Sequence, residues 1–170
     1  GTKAAETGII VAGRCSQGLI WVLEDLSGHH RPERWAKLVT GAFHRWHANK
    51  ILAEINYGGA MVESTIRASD RRAPIEKIRA RNGKRIRAEP AAALYEQGLV
   101  RHWAGAGLRI VEGQLLGVDP SEPETTVDQT DADDSALMSL RDRYDALVYA
   151  VSYLGHGKSR GLSRLRAAVS

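Results

Sequence analysis

The sequence predicts an α/β sandwich with a mixed β-sheet, and three observations carry that expectation. Strand-like apolar runs occur at Gly8–Gly13, Leu19–Leu26 and Ile51–Asn56; a helix-like apolar stripe separates the second run from the third; further helical segments follow the third. The composition, 43% hydrophobic and 26% charged over 170 residues, suits one globular domain with its own core.

In chain order, "GIIVAGRCSQGLIWVLEDLSG" reads as a β-hairpin, with strands Gly8–Gly13 and Leu19–Leu26 around a Ser-Gln-Gly turn. Pro32 then opens a helix whose apolar residues Trp35, Leu38, Val39, Ala42, Phe43 and Trp46 recur at helical spacing. The run "ILAEIN" is the next strand, and both of its faces are apolar until Glu54. A buried glutamate is costly unless an arginine, a proton or a metal ion answers its charge. Sheets of this class bind ligands beyond the carboxyl ends of their strands, and Glu54 lies close to such an end.

Two glycines lead from that strand into a helix over about Ala60–Ala68, followed by a short strand at Ile75–Ile78 and a basic loop. Pro90 is expected just inside the start of the helix "EPAAALYEQG", which Gly98 ends. A short strand "LVRHW" and a segment around Leu108–Leu116 come next. Residues 117–135, rich in acid, Pro, Ser and Thr, predict an exposed loop within the domain. A closing helix then places Tyr144, Leu147, Val148, Val151 and Leu154 on one face. The expected division is a domain over residues 1–154 and a basic, frayed tail over 155–170.

Several classes fall away on composition. A lone Cys15 excludes an internal disulfide and a cysteine-cluster zinc site. No stretch approaches the roughly 20 apolar residues of a membrane span, and the polar start "GTKAAETG" has no secretory pattern, so a soluble, intracellular protein is expected. The net charge of +4 is unevenly spread. Residues 67–87 hold nine Lys/Arg against Asp70 and Glu76, whereas 119–134 hold seven acids and no base. A basic middle beside an acidic loop points to a polyanion partner, or else to a solvated charged face.

The chemistry-bearing residues are the acids. Asp142 and Asp145 are three apart on the closing helix, near its expected N-terminal turn, where they either complement the helix dipole or meet Glu54. Asp145 directly precedes "ALVYAV" and belongs at the margin of the buried face, where a carboxylate needs a counter-charge. Carboxylates converging at a sheet end are what Mg²⁺ or Mn²⁺ requires. Two such ions roughly 3.5–4 Å apart activate a water and stabilise the leaving oxygen of a phosphodiester, and a basic flank would hold the nucleic-acid backbone.

The runs "ETGIIVAGR", "VLEDLSG", "AEINYGGAMVES", "GKRIRAEPAAALYEQGLVRH" and "DRYDALVYAVSYL" together resemble the C-terminal nuclease domain of the large terminase subunit of tailed bacteriophages and related prophage elements. The most specific is "RAEPAAALYEQG". The resemblance implies an RNase H-like fold and an endonuclease dependent on two Mg²⁺ or Mn²⁺ ions, which cuts concatemeric double-stranded DNA during genome packaging. It matches Glu54 to the family's second-strand acid, Asp145 to the acid of its closing helix, and Asp142 to a neighbouring, variable position that assists a metal. It brings the basic loop of Arg79, Arg81, Lys84, Arg85 and Arg87 to DNA phosphates, with Lys84 and Arg87 the preferred contacts. Its implied partners are an N-terminal ATPase domain, the portal protein and the small terminase subunit, in the cytoplasm of a bacterial host. In the family a central first strand precedes "ETGIIVAG" and ends in a metal-bridging aspartate; here the sequence begins after it, so the expected fold lacks that strand. Asp25 is a conceivable substitute, against the simpler reading of a surface acid beside "LSGHH".

Other motifs are weaker. "SYLGHGKS" approaches a phosphate loop, but Ser152 replaces its first glycine and it follows a helix. His44 and His47 have a metal-compatible spacing with no nearby acid or cysteine, so they read as a solvated helix face. His29 and His30 read as an exposed turn, and His102 faces the site or caps a strand. The tryptophans at 21, 35, 46 and 103 read as packing residues. Three functions remain: the terminase nuclease, a catalytically incomplete DNA- or portal-binding module of the same fold, and a resolvase- or integrase-like nuclease, against which the "RAEPAAALYEQG" helix counts.

Overall fold

The computed structural model describes residues 6–55, 59–79, 84–104, 108, 111–112, 134–156 and 164–169. The elements in chain order are β1 (Glu6–Thr7), β2 (Ile9–Arg14), β3 (Ile20–Asp25), β4 (Gly28–His29), α1 (Pro32–Arg45), β5 (Lys50–Glu54), α2 (Gly59–Ser69), β6 (Ile75–Ile78), α3 (Lys84–Glu96), β7 (Val100–His102), α4 (Asp134–His156) and β8 (Arg164–Val169). β1 and β4 form a small ribbon, and the other six strands form a mixed sheet in the order β6-β5-β8-β2-β3-β7. β2 is antiparallel to β3 and β8, whereas β5 is parallel to β6 and β8, and β3 is parallel to β7.

Period-two alternation sorts the core to the two faces of this sheet. Ile9, Ile51 and Ala53 pack with Trp35, Ala36 and Val39 of α1 and Ile66 of α2. Ile10, Ala12 and Leu52 pack on the other side with Ala91 of α3 and Leu147, Val151 and Leu154 of α4. The expected α/β sandwich is thus a three-layer arrangement, with α1 and α2 on one face of the sheet and α3 and α4 on the other. Among the described residues no helix is long and apolar enough to cross a membrane.

Three boundaries differ from expectation. α3 begins at Lys84, so Pro90 lies inside the helix and not at its start; the proline removes one N–H, and packing on α4 outweighs that loss. α4 begins at Asp134, and Asp142 and Asp145 lie beyond its first turn, away from the helix-dipole position expected of them. The frayed tail is overturned over its last part. Residues 164–169 form β8 between β2 and β5, with Ile10 beside Ala168 and Leu52 beside Ala168 on its other edge. That is the middle of the sheet, the location the resemblance gives to the strand preceding "ETGIIVAG". The C-terminal limit of α3 is as expected: Gly98 adopts φ 67°, and the Leu99 N–H donates to the Leu94 carbonyl at 3.0 Å.

The approach of α4 to the sheet depends on Gly8. A Cβ there would lie 2.0 Å from the main-chain oxygen of Asp142 and 2.9 Å from the nitrogen of Arg143. Because backbone atoms are in the way, Gly8→Ala is expected to destabilise the domain by on the order of 3 kcal/mol, read from the urea midpoint. The same end of α4 is fastened by Arg143, which reaches Asp25 at 3.2 Å. The Asp25 side chain is only 2% exposed and also accepts from the Ser27 N–H at 2.9 Å. Asp25 is therefore a buried structural acid; the surface reading is wrong because its hairpin end is covered by α4.

Candidate active site

The alternation that buries Ile51 and Ala53 under α1 and α2 and Leu52 under α3 and α4 also sets the direction of Glu54. It is the last residue of β5 and faces α3 and α4. On α4, Asp145 and Tyr149 are four apart and share one face. On α3, Arg87 lies in the first turn and points inward. The Arg87 Nη1 is 3.5 Å from Glu54 Oε1, and its Nη2 is 4.0 Å from Asp145 Oδ2. The Tyr149 hydroxyl donates to Glu54 Oε1 at 3.0 Å and accepts a hydrogen bond from Arg87. The guanidinium carbon also lies 5.4 Å from the centroid of the Tyr149 ring.

These charges are largely removed from water, with side-chain exposures of 15% for Arg87, 10% for Glu54 and 12% for Asp145. Their mutual attraction is therefore far stronger than on an open surface. Burial, followed by the neighbouring Glu54 carboxylate, pushes the Tyr149 hydroxyl up to about 12, with Arg87 opposing. Tyr149 stays protonated at neutral pH and keeps its hydrogen bond to Glu54. Glu54 and Asp145 thus do converge, through a guanidinium and a phenol. Tyr149 was not singled out in the sequence, although its spacing of four from Asp145 was the available signal.

The donor set fits one hard divalent cation. Mg²⁺ is commonly held by one or two carboxylates, with water and substrate phosphate completing its shell, and Glu54 and Asp145 supply two largely buried carboxylates in an already cationic position. No cluster of three or more His, Cys, Asp or Glu residues suited to a metal occurs among the described residues. Asp142 therefore does not gather with the other two. Its half-buried turn instead packs its main chain against Gly8.

The basic residues divide. Arg79 is exposed and, with Arg67 and Lys77, lines a groove of about 460 Å³ at the carboxyl ends of β5 and β6. Glu63 lies in that groove, held by Arg67 at 2.8 Å and by Lys77 at 2.5 Å. Arg81 lies outside the described residues, as do the side chains of Lys84 and Arg85. Of the preferred phosphate contacts, Arg87 is turned toward the carboxylates.

The histidines find ordinary partners. His44 pairs with Asp70 at 2.9 Å, an acid brought by α2 that sequence proximity did not reveal, and His47 is exposed. His102 lies between Tyr95 and Glu112, at 2.8 Å from each. This chain ties α3 to β7, and burial pushes the Tyr95 hydroxyl up. Trp103 departs from the packing expectation: it is 56% exposed, with an edge-on contact to Trp21. The "SYLGHGKS" motif begins within α4, and its Gly157, Lys158 and Ser159 lie outside the described residues.

Comparison with known proteins agrees with the topology. A family model described as the terminase RNaseH-like domain matches residues 6–154, which include every strand but β8 and all four helices except the last two residues of α4. No curated protein and no solved structure matches the chain. The match covers most of the sequence and the whole Glu54–Arg87–Asp145 cluster, and the chain accordingly belongs to the terminase RNaseH-like domain family.

Proposed function

We propose that this domain is the endonuclease module of a viral DNA-packaging terminase and hydrolyses double-stranded DNA at the Glu54–Asp145 pair. The observation that carries the reading is the convergence of two largely buried carboxylates at the carboxyl end of β5 in a terminase RNase H-like domain. Glu54 and Asp145 would hold Mg²⁺ or Mn²⁺, with a second ion drawing on donors beyond these two. When bound, such ions supply Lewis-acid stabilisation of charge on the phosphate and activation of a water.

The chain's own groups do the rest. Tyr149 fixes the rotamer of Glu54 through its hydrogen bond, and the same phenol locates Arg87. The groove of Arg67, Lys77 and Arg79 attracts the backbone by charge and leads it past the end of β5. Hydrolysis adds water across one P–O bond and leaves a phosphate monoester and a free hydroxyl. The module would work beside an ATPase domain, the portal protein and the small terminase subunit in the cytoplasm of a bacterial host.

A second reading, a DNA- or portal-binding module that does not cut, is favoured by one observation: among the described residues two acids and not three gather, and a guanidinium stands between them. Incubating supercoiled plasmid with the protein in Mn²⁺ separates the two. The nuclease reading expects nicked and linear product that EDTA abolishes. Plasmid bound by folded protein and left intact in both Mg²⁺ and Mn²⁺ supports the non-cutting module.

A further inference from the structure

We infer that Arg87 is an exchangeable counter-ion, which holds the Glu54–Asp145 site closed to cations until DNA draws it away. The inference rests on the proposed cation-binding role of that pair, and it concerns what stands in the site beforehand. Two carboxylates so far removed from water cannot remain together without a positive charge. Arg87 supplies a positive charge there, from the first turn of α3.

The fit of the guanidinium is poor. An arginine that has settled on a carboxylate makes paired bonds of roughly 2.7–2.9 Å, whereas Arg87 spans Glu54 at 3.5 Å and Asp145 at 4.0 Å. Its Nε is buried and has no hydrogen-bond partner among the described residues. An unmet buried donor costs on the order of 1–3 kcal/mol. Arg87 thus offsets one of the pair's two negative charges without being well bonded to either, and a compact divalent cation can replace it.

Displacement would leave a guanidinium beside the mouth of a site meant for phosphodiester, where a DNA phosphate is its natural acceptor. Cation and DNA then assist each other: the phosphate takes Arg87, and the vacated carboxylates take the ion. By linkage the help is reciprocal. Without DNA the site would hold its ion weakly, which would restrain cutting until substrate is engaged.

The test is Mn²⁺ binding to the whole protein, measured by the electron paramagnetic resonance of free Mn²⁺, with and without a short non-cleavable phosphorothioate duplex. Arg87→Gln should bind Mn²⁺ roughly tenfold more tightly than wild type without DNA, the scale of a typical coupling between sites. Arg87→Lys, which keeps the charge, should stay near wild type. The duplex should tighten Mn²⁺ binding in wild type and lose that effect in Arg87→Gln. If Arg87→Gln, shown to be folded by circular dichroism, binds no tighter while Glu54→Ala abolishes binding, the counter-ion role is overturned and the site reading survives. If Glu54→Ala binds Mn²⁺ as wild type does, the site reading itself falls, and the counter-ion role with it.

Discussion

Ala168→Pro is expected to unfold the domain or to lower its stability by more than about 3 kcal/mol, a large share of the 5–15 kcal/mol that holds a typical domain together. Ala168 is the fifth of the six residues of β8, paired on both sides, beside Ile10 of β2 on one edge and Leu52 of β5 on the other. A proline there offers no N–H to either ladder, and its ring is incompatible with a strand flanked on both sides. Ile10 and Leu52 are both fully buried members of the α3/α4 core, so parting β2 from β5 opens that core as well as the ladder. Thermal melting followed by circular dichroism would read the effect. A melting curve unchanged from wild type would show that β8 does not hold the centre of the sheet.

The legible part of the fold was the part with strong local pattern. Ile9–Ala12 and Ile51–Ala53 are buried on both faces, as continuous apolar runs between helices should be. The stripe of α1 and the Gly98 stop also read directly from spacing and residue type. β8 did not, because "RLRAAV" carries two arginines and no long apolar run. Its strand state comes from the ladder edges that β2 and β5 leave open, a tertiary cause that local propensity does not express.

The site shows the same division. Glu54 stood out because a carboxylate ends an otherwise apolar strand, and Asp145 because it interrupts a buried face. Arg87 was read with the phosphate-seeking cations because it ends a run of nine. Its inward direction follows from α3 starting at Lys84 and packing across α4, neither of which a charge count reveals. Trp103 departs from expectation for a related reason: it directly follows β7, the edge strand of the sheet, where an aromatic need not be covered.

The second large effect is expected at the carboxylates. Glu54→Ala and Asp145→Ala should each slow Mn²⁺-dependent cutting by at least about 100-fold, the scale of removing one group that stabilises developing charge. Neither change should weaken DNA binding, and affinity should rise slightly, because a carboxylate near phosphate is repulsive. Asp142→Ala should have a smaller effect on cutting, since that residue does not gather with the other two. The pattern separates a chemical role from misfolding, which would reduce cutting and binding together.

The most direct measurement is the single-turnover cleavage rate of a DNA duplex by wild type, Glu54→Ala and Asp145→Ala, with duplex affinity determined on the same samples. Cutting lost in both variants while affinity is kept is the predicted result. Folded variants that cut at the wild-type rate would contradict the assignment of the site to Glu54 and Asp145.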